Sequence, residues 1–309
     1  MDESRAPMNS YRCGHVSIVG RPNVGKSTLI NALLGQKVAA VSPRPQTTRR
    51  RQLGILTLEH AQVIFVDTPG LHEARHKLGE FLNQEAAKAL EDVDAVAWLV
   101  DAATAPTPDD LNIAERINGM PRRVKRHTVL NKIDLVPTTE EPTRLQEYGG
   151  LARDASVHKI SASYRTGLGG LLEALVRSLP IRAAEYPEEQ VTDLYEREIA
   201  ADLIREACLL KLRDEVPHSL AVRIDEFQER ASGGAFIGAT IFVERESQKG
   251  IVIGQGGKML KDIGSHARKE IEEMGGHKVF LELRVKVLKD WRNDPQALRQ
   301  LGFRLKKPH

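Results

Sequence analysis

Cysteine is almost absent from this chain. Cys13 and Cys208 are the only two in 309 residues, too few and too far apart for a disulfide framework or a thiolate metal cluster. Two free thiols suit a reducing cytosol. No apolar run approaches the roughly 20 residues that a membrane span needs. The opening MDESRAPMNSYRCG has no apolar signal core, so nothing marks the protein for export. Histidine clusters are lacking too: His218, His266, His277 and His309 show neither ligand nor triad spacing, which argues against a second catalytic pocket. A cytoplasmic protein is expected, with membrane association unsupported. Its hydrophobic content of 41% with 28% charged residues is that of a globular chain, and the length favours two domains over one core.

An excess of one charge sign is likewise missing from the whole, at +3 net, but not from its parts. From Arg182 to Gln248 there are 8 Lys and Arg against 15 Asp and Glu, a net of −7; from Lys249 to His309 there are 14 against 7, a net of +7. A basic final stretch after an acidic one suits a polyanionic partner.

What the sequence does contain is organised around HVSIVGRPNVGKSTLINALLG, His15 to Gly35. It reads as a buried strand, a glycine-bounded loop and a helix from Ser27 to Leu34. Gly20, Gly25, Lys26 and Ser27 fit the G-x-x-x-x-G-K-[ST] phosphate loop. Backbone N–H groups of Gly20, Arg21, Pro22, Asn23, Val24, Gly25, Lys26, Ser27 and Thr28 (Pro22 excepted) are placed to cradle phosphates at a helix start. Lys26 can reach the β- and γ-phosphates, and the Ser27 hydroxyl is a hard ligand for Mg²⁺.

Further along, each at the carboxyl end of an expected strand, come the other parts of a guanine-nucleotide site. A loop rich in Pro, Thr and Arg offers Thr47 and Thr48 to close on Mg²⁺, Thr48 being preferred. Strands at 52–58 and 62–66 lead into Asp67-Thr68-Pro69-Gly70, where Asp67 is placed as a Mg²⁺ carboxylate and the Gly70 N–H can meet the γ-phosphate. A helix (81–90) and strands at 95–100 and 126–130 precede Asn131-Lys132-Ile133-Asp134. The Asp134 carboxylate can accept two N–H bonds from guanine and none of that pair from adenine, which makes it a selector. Asn131 can bond the N7 side of the ring, and the Lys132 stem can cover the base. After a strand at 156–160, Ser161-Ala162 brings backbone N–H groups near guanine O6. Single motifs of this kind are weak; the ordered set specifies hydrolysis of GTP to GDP and phosphate. The catalytic groups on this reading are Asn23, Lys26, Thr48 and Gly70. Leu71 stands where Ras-like enzymes carry a water-orienting glutamine. Asn23, which in related GTPases with an aliphatic residue there helps hold K⁺, therefore points to K⁺ as the charge stabiliser; the alternative is that Asn23 only braces the loop.

A helix at 171–179 closes this domain, and the acidic 182–192 reads as a linker. Beyond it the pattern is α-β-β-α-α-β: a helix at 193–213, strands at 220–227 and 236–244, then SQKGIVIGQGGKMLKDIG, a helix at 258–274 and a strand at 279–288. A G-x-x-G loop, here Gly254-Gln255-Gly256-Gly257, lets a nucleic-acid backbone pass close to a helix start, as in KH folds. Met259, Ile263, Ala267 and Ile271 share one face of the helix, leaving Lys258, Lys261, Arg268 and Lys269 for phosphates.

GRPNVGKSTLINALLGQ, QTTR, DTPGL, NKID, ISA, PHSLAVRIDEF, IVIGQGGKMLKDIG and VKVLKDW together resemble the Era family of bacterial GTPases. The resemblance covers nearly the whole chain beyond roughly the first dozen residues. It implies a P-loop GTPase domain of the α/β class, with a mostly parallel sheet and helices on both faces. An α+β type II KH domain follows it. The expected boundaries are an extension at 1–13, the GTPase domain at 14–181, the linker, and the KH domain at 193–309. It further implies a monomeric ribosome-assembly factor that uses GTP, GDP and Mg²⁺. Such a factor binds the 3′ end of 16S ribosomal RNA and the 30S subunit, not DNA, through Gly254 to Lys258, Lys261, Arg268 and Lys286 on the last strand, with release regulated by hydrolysis. Two other classes compete: a tRNA-modifying or metabolic enzyme with a borrowed GTPase domain, which would need a second pocket, and an RNA-binding scaffold with a silent nucleotide site, which the intact Lys26, Ser27 and Asp67 set argues against.

Overall fold

The computed structural model describes residues 11–41, 48–49, 52–69, 76–230 and 233–303. They fall into two compact units, neither contiguous in the chain. The first comprises the described residues up to Gln36, 49–69 and 84–193; the second comprises 37–41, 48, 76–83 and 194–303.

In the first unit, strands β1 (Arg12–Val19), β2 (Gln52–Leu58), β3 (Ala61–Asp67), β4 (Ala95–Asp101), β5 (Lys125–Asn131) and β6 (Ser156–Lys159) form one sheet in the order β2-β3-β1-β4-β5-β6. Only β2 runs antiparallel. Helices α1 (Lys26–Leu34), α2 (Lys77–Lys88), α3 (Pro108–Asn118) and α4 (Glu141–Gly149) lie in the connections between parallel strands, and α5 (Leu168–Ser178) follows β6. Every side chain from Ala95 to Val100 in β4 is buried, so both sheet faces are covered. Val96, Trp98 and Val100 pack against Ile113 and Ile117 of α3 and Tyr148 of α4. Strand order reverses beside β1, and its carboxyl end opens where doubly wound folds bind ligands.

α3 and α4 are absent from the sequence-based reading, although α3 has a clear start signal. Thr107 caps it, Pro108 is its first residue, and Asp110 Oδ2 accepts from the Thr107 backbone N–H at 2.9 Å. The segment 182–192 is not a free linker. Arg182 N donates to Tyr11 O at 3.1 Å, Ile55 N donates to Val191 O at 2.8 Å, and the N–H groups of Glu185 and Tyr186 donate to Gln62 Oε1. These bonds tie the segment to the first unit.

The second unit contains α6 (Glu196–Lys211), β7 (Ala221–Glu229), β8 (Ala235–Val243), α7 (Glu246–Ile253), α8 (Lys258–Gly275), β9 (Val279–Val287) and the short α9 (Pro295–Gln300). β7 and β8 pair antiparallel, β8 and β9 parallel. The α-β-β-α-α-β order expected from sequence is observed. Ile263, Ala267 and Ile271 of α8 are buried against Ala200, Leu203 and Ala207 of α6 and against Ile237, Ala239 and Ile241 of β8. Burial at an interval of four residues is what a helix laid on a sheet requires.

Two stretches expected within the GTPase domain group instead with this unit. Lys37 Nζ contacts Glu206 at 2.9 Å and Glu270 at 2.6 Å, beside buried Val38, Ala39 and Ala40. Leu78, Phe81 and Leu82 of α2 join a cluster with Phe242, Trp291, Leu298 and Phe303. Among the described residues no helix is long and apolar enough to cross a membrane.

Candidate functional site

The turn between β1 and α1 is shaped by backbone conformations that side chains oppose. Gly20 and Gly25 have φ of 156° and 102°; a Cβ on Gly20 would lie 2.2 Å from Leu99 O, and one on Gly25 2.4 Å from Asn131 Nδ2. Asn23, at φ 66°, takes the left-handed conformation that Asn tolerates best after Gly. Lys26 is buried, and its Nζ donates to Gly20 O at 3.0 Å and to Arg21 O at 2.8 Å. Burial lowers its pKa to about 8, against the raising influence of Asp67. The ammonium is thus folded back onto the loop's own carbonyls, neutral acceptors that a charged phosphate would displace.

Asp67 ends β3, paired in register with Ile18 of β1. Ser27 Oγ donates to Asp67 Oδ2 at 3.0 Å, and Gln52 Nε2 approaches the same oxygen at 3.3 Å. Thr68 Oγ1 donates to Ile18 O at 3.0 Å, fixing the end of β3 against β1, and Pro69 is buried. A hydroxyl and a carboxylate oxygen this close form a hard donor pair that fits Mg²⁺, whose remaining positions are normally water and phosphate. Among the described residues no set of three His, Cys, Asp or Glu could hold a metal.

Asn131 has a structural task beside the N7 contact expected of it, for which the second N–H of its amide is suited. Its Nδ2 donates to Val24 O at 2.8 Å and its Oδ1 accepts from Ala162 N at 2.9 Å. The buried amide pins the phosphate loop to the Ser161-Ala162 turn, and both ends of the side chain are occupied by protein. Lys132, at φ 61°, pairs with Asp101 at 2.6 Å, which lays its stem along the end of β4. Asp134 is exposed just beyond. Ser161 is buried, and its Oγ accepts from Tyr164 N at 3.3 Å. Arg21 reaches Asp110 at 2.9 Å and Thr104 Oγ1 at 3.1 Å, tying the loop to the start of α3. Sequence reasoning passed over Asp110 and Gln52; the T-P-D-D signature of a capped helix start was the available signal for the first.

Thr48 is half-buried and groups with the second unit, whereas Ser27 and Asp67 belong to the first. Thr47, Gly70 and Leu71 lie outside the described residues.

In the second unit, Gly254, Gly256 and Gly257 all have positive φ, at 70°, 59° and 77°. A Cβ on Gly254 would come 2.7 Å from that of Met259, while Gly256 and Gly257 face open space. The loop therefore needs glycine for its bend and also bares its backbone. Beside it runs a groove of about 410 Å³ lined by Gly257, Leu260, Lys261, Gly264, Ser265, Arg268, Leu281 and Leu283. Gln255, Lys258, Lys261 and Arg268 are exposed. Lys286 is not brought to this groove. It alternates with Val285 and Val287, which pack on the helix side, so it stands on the opposite face of β9.

A phosphate loop, an acidic strand end and an N-K-x-D turn on a mostly parallel sheet, followed by a G-x-x-G groove beside a three-stranded sheet, define a P-loop GTPase joined to a KH domain. A family model described as "50S ribosome-binding GTPase" matches residues 15–132, and one described as "KH domain" matches residues 215–292. GTPase Era of Heliobacterium modesticaldum is 44% identical over 96% of this chain and 98% of its own; that of Geobacter metallireducens is 45% identical over 96% and 99%. A single-residue variant of Aquifex aeolicus Era bound to GDP·AlF4⁻ superposes with a TM-score of 0.88 at 38% identity, covering 95% of this chain and all of that one. An Era in complex with MgGDPNP and nucleotides 1506–1542 of 16S ribosomal RNA gives 0.89 at 38%, covering 96% and 100%. The chain belongs to the Era GTPase family.

Proposed function

We propose that this protein hydrolyses GTP and uses the state of the nucleotide to regulate the hold of its KH domain on the 3′ end of 16S ribosomal RNA, within the assembling 30S subunit. The observation that carries this reading is the presence, in one chain, of a phosphate cradle latched by Asn131 and a basic groove beside the glycine loop. The solved Era complex with MgGDPNP and 16S RNA supports the pairing of the two activities and the triphosphate form as the RNA-holding one.

In the cradle, the backbone from Gly20 to Thr28 holds phosphate oxygens and Lys26 neutralises them. Ser27 and Asp67 hold Mg²⁺, which supplies charge compensation on the β- and γ-phosphates; Thr48 is the further oxygen ligand that the sequence offers. Asp134 selects guanine and Lys132 covers the base, while the Ala162 N–H is given to Asn131 Oδ1 and the Ser161 N–H to Thr166 O. K⁺ held with the help of Asn23 would supply the charge stabilisation for a site in which Leu71 cannot orient water. The left-handed φ of Asn23 supplies a structural reason for the same residue, so the ion needs its own test: turnover faster in K⁺ than in Na⁺ is expected, and equal rates would remove K⁺ from the account. In the groove, Gly254 to Lys258 pass the RNA backbone while Lys261 and Arg268 take phosphates. The protein acts as a monomer in the cytoplasm.

The deciding experiment measures GTP and RNA binding separately on Lys26→Ala. GTP binding is expected to be lost while nucleotide-free RNA binding survives. Persistent tight GTP binding would refute the role given to Lys26.

A further inference from the structure

β9 is an edge strand, hydrogen-bonded to β8 on one side only. Its side chains alternate between two faces. Leu281 and Leu283 line the groove beside α8. Phe280 points the other way, outward, and is 60% exposed. It lies in register with Phe236 of β8, and the two rings stack with centroids 5.8 Å apart and planes inclined by 19°. The Arg230 guanidinium lies over both, 5.9 Å from the Phe236 centroid and 5.8 Å from that of Phe280. Nearby Glu282 is engaged by Arg284 at 2.9 and 2.7 Å, which offsets its charge.

A single exposed ring is ordinary; what sets Phe280 apart is that it is stacked on a second ring beneath a guanidinium. The area is small. Phe280 is the only strongly exposed large apolar side chain among the described residues of this sheet's outer face, since Phe242 on the same face is buried. A protein partner needs a far broader surface than one ring and its neighbour. A nucleobase does not: one flat π-face, a stacked aromatic and a guanidinium are the parts from which single-strand platforms are made. Position agrees with chemistry. Phe280 follows the turn that closes α8, so it lies at the end of the groove distant from the Gly254–Gly257 loop, one strand's thickness around an unpaired edge.

We infer that Phe280, with Phe236 and Arg230, is a stacking platform for one base of single-stranded RNA that flanks the segment held in the groove. The platform rests on the groove reading above and extends the footprint past its distal end. The base stacks on the free face of Phe280, and Arg230 is within reach of the adjoining phosphate.

The test uses the full chain and two RNAs, one of about four nucleotides that fills a KH groove and one carrying extra nucleotides at both ends. 2-Aminopurine is placed at each flanking position in turn. Phe280→Ala should weaken the longer RNA about tenfold and leave the shorter one unchanged. Phe280→Trp should retain the affinity, and one flanking 2-aminopurine should be quenched by the wild type and not by Phe280→Ala. GTP turnover without RNA should be the same in all three proteins. Equal weakening of both RNAs would make Phe280 merely a support of the groove and overturn the platform. So would an unchanged affinity for the longer RNA, including the case in which Phe280→Ala alters only self-association in sedimentation. If the wild type binds neither RNA, the groove reading itself fails, a result distinct from an intact groove indifferent to Phe280.

Discussion

At the scale of single residues, the nucleotide site is built from groups that the protein itself holds in place. Lys26 is the clearest case. With its pKa lowered to about 8 by burial, part of the population is neutral just above that pH. Phosphates would favour the charged form, so nucleotide binding should take up protons near pH 8 and above. Affinity should be level below pH 8 and fall as pH rises beyond it; calorimetry in buffers of different ionisation enthalpy measures the uptake directly. Asn131 is the second case. Asn131→Ala leaves Val24 O and Ala162 N without their buried partner, a loss of roughly 1–3 kcal/mol for each unsatisfied group. Both thermal stability and guanine-nucleotide affinity should drop, as read by melting curves and nucleotide titration. A third residue bears on stability alone. His127, buried beside His158 with ring nitrogens 3.1 Å apart, has its pKa pushed down to about 4 by burial and by that neighbour. The unfolded chain takes up this proton near pH 6.5 and the folded one does not. The stabilisation is therefore whole above pH 6.5 and is lost as pH falls from there toward 4. His127→Gln should flatten that part of the stability profile.

At the scale of elements, what was legible followed from local rules. The phosphate loop declares itself because β1, the glycines and α1 must come in that order, and the stripe of Ile263, Ala267 and Ile271 in α8 is a period that solvent exposure would not tolerate. Other features were hidden because they depend on where the chain returns. The two ends of the Asn131 amide meet Val24 and Ala162, 107 and 31 residues away in sequence. No pattern within one element could reveal that the side chain also bridges these two distant loops. The 182–192 segment looked like a linker by composition, yet its partners are the edge and core residues Ile55 and Gln62. The resemblance implies Lys286 as an RNA contact, but strand alternation turns it away from the groove. That distinction is testable. Lys261→Ala and Arg268→Ala should each weaken single-stranded RNA and reduce the slope of log affinity against log salt by about 0.7, whereas Lys286→Ala should leave that slope unchanged for an RNA confined to the groove.

At the scale of the whole molecule, one chain carries a guanine-nucleotide switch and an RNA clamp. The value of the combination lies in their coupling. Segments 37–41 and 76–83, which flank the loops expected to sense the γ-phosphate, have their neighbours in the KH unit. Lys37, held between Glu206 and Glu270, ties the first of them to α6 and α8. Coupling of this kind is reciprocal: whatever factor GTP contributes to RNA affinity, RNA must return to GTP affinity. The most direct test is the affinity of the full chain for an RNA of the 16S 3′ end, measured with a non-hydrolysable GTP analogue, with GDP and with the corresponding ATP analogue. The account predicts tighter binding with the GTP analogue than with GDP, and no effect of the ATP analogue. Equal affinity with both guanine nucleotides, or a response to ATP matching that to GTP, would contradict it.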